Sequence, residues 1–337
     1  MLTAGGGFDW SLFGDAAREI AALGGLPPLV RMLGDARRRV GLNVWAKYQQ
    51  PAVHLHRGLE QGDPAARRGL EQLVENALGQ MRRQVDAEAN RAGLRSGWAA
   101  VLDAWWRDTN ANEYLDDPEL DRDVRVQILS DLDGMNALLG SYKSFFARLE
   151  PFLAGDAPTR LLDLAAGHGG FAVFAAELAQ RAGQRVAITA SDIKPEYLAL
   201  GAERSAKAGV EVSFQVQDAL DLSNLERGAF DIVTCTQSLH HFKAGQIALM
   251  FSEANRVATR GVMFIDGARS ARNAAAFVGL GLLLFRNAAF AHDALVSFRR
   301  FYVPEELELI ARLCPGGEAA SADWILPGHC ALELQKA

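Results

Sequence analysis

The sequence predicts an α/β fold in which a mostly parallel sheet follows an all-helical N-terminal region. Residues 1–110 contain no strand-like alternation, whereas after Pro158 short apolar runs alternate with helical stretches. Alternation of this kind is typical of a parallel sheet with helices on both faces. We therefore divide the 337 residues into a helical region, 1–150, and an α/β domain, 151–337.

The helical region contains one helix whose beginning is well marked, at Asp63-Pro64. An aspartate followed by proline is a typical helix N-terminus. Apolar residues then recur at steps of three and four and form one face: Leu70, Leu73, Val74, Ala77, Leu78, Met81 and Val85. We expect this region to cover the pocket of the following domain, to mediate homodimerisation, or both.

A further helix is predicted from about Glu119 to Phe152, and Trp105 and Trp106 are expected to pack at the domain junction. The acidic residues between Glu113 and Asp133 are interpreted as a solvated helix face rather than a ligand site.

The α/β domain is predicted to begin with five strands that alternate with helices. The strands are expected at 160–164, 185–190, 211–216, 230–234 and 261–265, and the helices at 170–182, 195–208 and 245–257. Two short runs between 320 and 335, separated by Pro327-Gly328, predict a final antiparallel hairpin.

A glycine-rich turn joins the first predicted strand of this domain to its helix. Gly167 and Gly169 allow the backbone to turn tightly and to lie against a ligand. Taken alone, the string from Gly167 to Ala172 also matches the dinucleotide-binding fingerprint. The glycine pattern by itself therefore does not exclude a nicotinamide cofactor.

Acidic residues lie at or just after the ends of three successive strands: Asp163, Asp192 and Asp218. Asp192 can accept both hydroxyls of a ribose, and Asp218 can accept an adenine amino group. The three acids together favour a ligand with an amine, a ribose and an adenine. They disfavour a pyrophosphate, which binds to donors.

In this pattern the sequence resembles the class I S-adenosylmethionine-dependent methyltransferases. Asp163-x-Ala165-x-Gly167-x-Gly169 is similar to their first motif, with the alanine that is typical of the ubiquinone/menaquinone methyltransferase-like branch. The resemblance implies a Rossmann-like sheet, S-adenosyl-L-methionine as cofactor and S-adenosyl-L-homocysteine as product. It also implies a set of cofactor-binding residues: Asp163, Ala165, Gly167, Gly169, Asp192, Ile193, Asp218, Ala219 and Gln237.

Methylation of a hydroxyl benefits from a general base, for which histidine is the natural candidate. His292, next to Asp293, lies in the insertion after the fifth strand, where the resembling branch builds its acceptor pocket. We rank His292, with Asp293 raising its basicity, ahead of His241, and we interpret His240 as structural or close to the cofactor.

Three further residues are candidates for binding the acceptor: Tyr142, Arg269 and Arg299. An arginine can clamp a carboxylate or carbonyl of the acceptor. Ion pairs with neighbouring acids are the alternative for both arginines.

Composition excludes several classes of protein. Lys and Arg number 35 against 41 Asp and Glu, so the basic excess of a nucleic-acid binder is missing. Three cysteines without CxxC spacing predict neither a disulfide framework nor a metal site. The longest apolar run, 274–285, is too short to span a bilayer. Since no signal-peptide pattern begins the chain, we expect a cytoplasmic protein without stable membrane insertion.

We therefore predict methyl transfer to a small, hydrophobic, hydroxylated aromatic or polyketide-like metabolite of natural product biosynthesis. O-methylation is favoured over C-methylation. Two alternatives stay open: a protein of the same fold and cofactor that catalyses a non-methylating reaction such as cyclisation, and a nicotinamide-dependent oxidoreductase. Asp163 and Asp218 argue against the second alternative.

Overall fold

The computed structural model describes residues 27–91, 111–117, 119–153, 157–325 and 328–336. Trp105 and Trp106 lie outside the described residues, as does Pro327 of the predicted hairpin turn. Among the helices described, none combines the length and the apolar character needed to cross a lipid bilayer.

A seven-stranded sheet forms the centre of the α/β domain, which confirms the predicted fold class. Its strands are β1 Thr159–Leu164, β2 Val186–Asp192, β3 Ser213–Val216, β4 Phe230–Thr236, β5 Ala258–Gly267, β6 Ser321–Ile325 and β7 His329–Gln335. The spatial order is β3-β2-β1-β4-β5-β7-β6. The strands β1 to β5 are parallel, and β7 pairs antiparallel with β5 and β6, as predicted for the hairpin.

Helices pack around this sheet and precede it. They are α1 Pro27–Glu60, α2 Pro64–Arg91, α3 Arg122–Leu139, α4 Ser141–Leu149, α5 Gly170–Arg181, α6 Pro195–Ala208, α7 Ala244–Val257, α8 Ala271–Phe285, α9 Ala288–Arg300 and α10 Pro304–Arg312. Short 3-10 turns cover Tyr114–Asp116, Glu150–Phe152 and Leu239–His241. The carboxylate of Asp63 accepts the N–H of Ala65 at 2.8 Å and so caps α2 where the sequence predicts its beginning.

The single helix predicted from Glu119 to Phe152 is wrong, because the chain breaks at Gly140. Gly140 has a φ of +67° and donates its N–H to the carbonyls of Asn136 and Ala137. This left-handed conformation ends α3 and redirects the chain into α4.

The α1–α2 pair packs against α7 and shares its core with the sheet. Gly245 near the start of α7 allows this approach, since a Cβ there would lie 2.7 Å from the backbone of Glu71. The predicted apolar face of α2 is buried, with Leu70, Met81 and Val85 no more than 4% exposed. Dimerisation through these helices stays a prediction.

Candidate active site

The glycine-rich turn after β1 uses backbone conformations that favour glycine. Ala165, Gly167 and Gly169 have φ angles of +48°, +55° and +69°. A Cβ at Gly169 would lie 2.9 Å from the ring of Phe214. Position 169 therefore requires glycine, both for its positive φ and for the close approach of this ring. Around Gly167, in contrast, no atom lies within 4 Å of the corresponding Cβ position. The backbone of the turn is therefore open to a ligand at Gly167.

Asp163 lies almost completely buried below this turn. The hydroxyl of Thr234 donates to its Oδ1 at 2.7 Å. Burial raises the pKa of Asp163 to about 7, against the lowering effect of that hydrogen bond. Near neutral pH the carboxyl therefore exists in both protonation states and can donate as well as accept.

The carboxylate of Asp192, at the end of β2, binds the turn directly. Its Oδ2 accepts the N–H of Gly167 at 2.8 Å, and its Oδ1 accepts the N–H of Lys194 at 2.9 Å. Each carboxylate oxygen has a second lone pair. Asp192 can therefore hold the turn and accept two neighbouring hydroxyls together. The side chain of Ile193 beside it is 62% exposed.

Asp218 occupies a more open position after β3 than the other two acids. Its side chain is exposed, and Oδ1 accepts the N–H of Leu220 at 2.8 Å. The neighbouring Ala219 is buried. The structure thus brings Asp163 and Asp192 to the glycine-rich turn and leaves Asp218 at the surface.

Helix α3 is tied to the turn and to the end of β4 by side chains that the sequence analysis missed. Asn136 and Gln237 exchange two amide hydrogen bonds of 3.0 Å. Asp133 accepts the hydroxyl of Tyr142 at 3.0 Å and lies 2.9 Å from Nε2 of His168, within the turn. Gln237 has a φ of +57°, and the amide pair helps to hold this strained conformation.

The interpretation of the acids between Glu113 and Asp133 as a solvated face is wrong for three of them. Glu113 and Asp131 are 4% and 5% exposed. Asp131 accepts the side-chain amide of Asn287 at 2.7 Å, and Asp133 is paired as described. The sequence interpretation failed because residues after β5 cover Glu113 and Asp131. Asp133 faces the glycine-rich turn and α4 instead.

A cavity of about 110 Å³ lies beside Gln237. Its apolar wall consists of Leu115, Ile128, Leu132, Phe277, Phe290, Ala294, Phe298 and Phe301. Its polar wall consists of Glu113, Gln237, His240, His241, Asp266, Asp293, Ser297 and His329, and Gly267 and Gly328 complete the lining. No described residue of α1 or α2 lines this cavity. Its cover comes instead from the segment 113–132 and from α8 and α9.

The polar wall of the cavity contains a hydrogen-bonded pair formed by His240 and Asp266. Nδ1 of His240 lies 2.8 Å from Oδ2 of Asp266, which also accepts the backbone N–H of His240 at 2.8 Å. Burial lowers the pKa of His240 and Asp266 raises it, and the net shift is upward. The pKa of Asp266 itself is lowered, because His240 outweighs burial. The ionised carboxylate fixes the proton on Nδ1 and leaves Nε2 for a ligand.

His241 lines the same end of the cavity and is held more weakly. Its Nδ1 lies 3.6 Å from Oδ1 of Asp116, and its side chain is 36% exposed. Desolvation and the neighbouring His240 lower the pKa of His241. A histidine with a lowered pKa is neutral at pH 7 and a weaker base than His240.

Glu113, His240 and His241 have ligand atoms within 4.8 Å of one another, a spacing that suits a metal ion. The guanidinium of Arg300, however, lies 3.5 Å from Oε1 of Glu113. A fixed cation at this distance repels a metal ion. We therefore assign no metal to this group.

His292 does not line the cavity. Its Nδ1 lies 3.2 Å from Oδ1 of Asp293, and its ring packs on Tyr114 with the centroids 4.8 Å apart. Asp293 lines the cavity, but its carboxylate accepts the backbone N–H groups of Tyr114 and Leu115 at 2.7 and 3.1 Å. The pair therefore holds the segment before α3, and the geometry does not support ranking His292 above the histidines of the cavity.

The three predicted acceptor-binding residues also lie outside the cavity lining. Arg269 is buried and binds both oxygens of Glu306 at 2.9 and 3.0 Å, which is the ion-pair alternative. Arg299 is buried on α9. Tyr142 is buried beside the turn, where its hydroxyl binds Asp133.

In sequence the chain is similar to known methyltransferases. The family described as "Methyltransferase domain" matches residues 161–261. The "Ubiquinone biosynthesis O-methyltransferase" of Xanthomonas axonopodis pv. citri (strain 306) is 31% identical over 206 residues, which cover 61% of this chain and 70% of the relative. The protein of the same name from Xanthomonas euvesicatoria pv. vesicatoria (strain 85-10) gives the same identity and coverage. Among solved structures, a putative O-methyltransferase from Nostoc punctiforme PCC 73102 is 16% identical with a TM-score of 0.47, covering 70% of this chain and 67% of that one.

Proposed function

Because this chain belongs to the class I S-adenosylmethionine-dependent methyltransferases, we propose that it methylates an oxygen of a small, hydrophobic, hydroxylated aromatic acceptor. The observation that carries the proposal is the His240–Asp266 pair, set in the wall of a cavity lined by four phenylalanines. The relatives named as ubiquinone biosynthesis O-methyltransferases support oxygen as the methylated atom and an acceptor related to quinones.

The glycine-rich turn fits S-adenosylmethionine, the methyl donor of the family. The turn is open above Gly167, and Asp192 beside it offers the acceptor atoms that a ribose needs. The exposed Ile193 offers an apolar surface for the adenine ring, with Asp218 and Ala219 at its edge. Asp163 and Gln237 are assigned to the methionine end.

The acceptor is assigned to the cavity beside Gln237. A flat apolar ring suits its aromatic wall, where Phe277 and Phe298 lie 5.5 Å apart between centroids. The polar wall then receives a hydroxyl next to His240. The carboxylates of Glu113, Asp266 and Asp293 in that wall disfavour a negatively charged acceptor, so we expect a neutral one.

The residues of this chain promote the reaction by orientation and by proton transfer. When bound, S-adenosylmethionine supplies an electrophilic methyl group on a positively charged sulfur. The acceptor oxygen forms a bond to the methyl carbon while the carbon–sulfur bond breaks, and S-adenosylhomocysteine leaves. Nε2 of His240 takes the hydroxyl proton, Asp266 stabilises the imidazolium, and the proton later passes to water. Alignment within the cavity supplies much of the acceleration.

The proposal is tested by incubating the protein with S-adenosylmethionine and an alkylcatechol, and by measuring S-adenosylhomocysteine. The dimethyl ether of the same catechol is the matched control, since it keeps the shape and lacks the hydroxyls. We expect S-adenosylhomocysteine to form with the catechol and not with the ether. Equal release with both compounds would contradict the assignment of a hydroxyl as the methylated group.

The cofactor assignment predicts the effect of Asp192→Asn. The substitution removes the charge that strengthens hydrogen bonds to a ribose, so affinity for S-adenosylhomocysteine should fall about tenfold to hundredfold. Asp221→Asn, which removes an exposed carboxylate after Asp218, should leave affinity unchanged. Isothermal titration calorimetry measures the affinity of both variants for S-adenosylhomocysteine and tests whether the wild type binds NADH. Binding of NADH by the wild type, or equal affinity in both variants, would contradict the assignment.

A further inference from the structure

Glu113 reaches the cavity from the short segment before α3, outside the residues 161–261 that match the family. Its side chain is buried, and Oε1 lies 3.7 Å from Nε2 of His240. The hydroxyl of Ser297 donates to the same oxygen at 2.9 Å, and Nη1 of Arg300 lies 3.5 Å from it. Two residues of α9, in the insertion after β5, therefore hold this carboxyl in place.

Burial of this carboxyl in the wall of the cavity is costly, even with Ser297 and Arg300 beside it. Burial raises the pKa of Glu113 to about 7, although the positive charge of His240 opposes the shift. A buried ionisable group against an apolar wall destabilises a fold unless it is paired. Groups of this kind concentrate at functional sites.

The positions of the two carboxyl groups around His240 are complementary. Asp266 occupies the Nδ1 side of the ring and Glu113 faces the Nε2 side, so the imidazole lies between them. The 3.7 Å between Nε2 and Oε1 exceeds a hydrogen bond, and a hydroxyl oxygen can contact both atoms from the cavity.

We propose that Glu113 is a positioning residue of the methyl-transfer reaction, one that stabilises the imidazolium of His240 after the acceptor hydroxyl has given up its proton. The proposal rests on the proposed function, because it takes His240 as the base. It assigns part of the active site to residues that precede the methyltransferase domain. Removal of Glu113 should therefore weaken His240 as a base without weakening the binding of S-adenosylmethionine.

Other charged groups around His240 and Glu113 determine the sign of the expected effect. Asp293 and Asp116 add negative charge near Glu113, and Arg300 adds positive charge near His240. The ring of His241, a further titratable group, lies beside that of His240 with the centroids 4.1 Å apart. Glu113 raises the pKa of His240 and Arg300 lowers it. Glu113→Gln and Arg300→Gln should thus shift the titration of His240 in opposite directions. A role of Glu113 in packing alone, without its charge, would not produce this opposition.

The first experiment titrates the ring nitrogens of His240 by NMR in the ligand-free protein. In Glu113→Gln the pKa of His240 should fall by about one unit, in Arg300→Gln it should rise, and in Asp117→Asn it should stay within experimental error. Asp117 is the matched control, since it is an exposed acid of the same segment. An unchanged titration in Glu113→Gln would overturn the proposal whatever the acceptor is.

The second experiment measures methylation of the alkylcatechol against pH. In Glu113→Gln kcat should fall by up to about tenfold, the largest effect that a loss of one pKa unit in the base can have. The acid limb of the profile should move to lower pH, because neutral imidazole then persists at lower pH. An equal loss at all pH values, with weaker cofactor binding, would indicate a structural role and overturn the proposal. If the wild type does not methylate the catechol, the proposed function fails, and the NMR titration still decides the role of Glu113.

Discussion

His240→Ala is expected to lower kcat of methyl transfer by about 10² to 10⁴-fold, the usual contribution of a general base. The Nδ1 atom of His240 is fixed by Asp266, so Nε2 is the ring atom available in the cavity. Affinity for S-adenosylhomocysteine should change little, since no described hydrogen bond joins the His240 side chain to the glycine-rich turn. Steady-state rates with the alkylcatechol and calorimetry with S-adenosylhomocysteine check the two parts separately.

Two other histidines serve as comparisons for this substitution. His292→Ala should retain kcat within a few fold, because His292 packs on Tyr114 and does not line the cavity. His241→Ala should have an intermediate effect, since His241 lines the cavity with a lowered pKa. If His292→Ala abolishes the reaction while His240→Ala does not, the assignment of the base is wrong.

Glu306→Ala is expected to lower the free energy of unfolding by about 3–5 kcal/mol, the cost of leaving buried charges unpaired. Arg82 of α2 and Arg269 after β5 both bind this carboxylate, at 2.7 and 2.9 Å. The side chains of Glu306 and Arg269 are 3% and 1% exposed. Removal of the carboxylate leaves two guanidinium groups facing each other where α2, β5 and α10 meet.

Urea unfolding at pH 7 measures this loss, and Glu308→Ala is the control. Glu308 pairs with Arg312 one turn further along the same helix, and its loss should cost at most about 1 kcal/mol. Burial raises the pKa of Glu306 and the two arginines lower it, leaving it well below 4.5. A lowered carboxyl pKa gives stability that is present above pH 4.5 and is lost below it. The difference in free energy of unfolding between wild type and Glu306→Ala should therefore become smaller below pH 4.5. Equal losses of this free energy in Glu306→Ala and Glu308→Ala at pH 7 would contradict the assignment of Glu306 as the partner of two buried arginines.

The sheet and the cofactor end could be predicted from the sequence because both depend on local patterns. The strand–helix alternation after Pro158 fixes a parallel sheet, and its strand ends bring Asp163 and Asp192 to the glycine-rich turn. The turn needs left-handed backbone at positions 167 and 169, and glycine at both positions indicates this conformation in the sequence.

The acceptor end could not be predicted in the same way because its contacts join distant segments. In the sequence, Glu113 and Asp133 match the pattern of a solvated acidic face. In the structure Glu113 binds Ser297 of the insertion after β5, and Asp133 contacts His168 of the glycine-rich turn. The carboxylate beside His292 is that of the next residue in the sequence, Asp293, whereas the carboxylate that binds His240 is 26 residues away in the sequence. The sequence contains one further signal for this pair. His240 follows β4 and Asp266 lies near the end of β5. Because these strands are adjacent and parallel, both residues lie at the same edge of the sheet.

The most direct test of the proposed reaction follows an isotope-labelled methyl group from S-adenosylmethionine into the alkylcatechol. NMR of the product shows whether the label is bound to oxygen or to a ring carbon. We predict a labelled methyl ether with the wild type, the same product with His292→Ala, and almost none with His240→Ala. A label on ring carbon, or equal formation of the ether by His240→Ala, would contradict O-methylation by a base at His240.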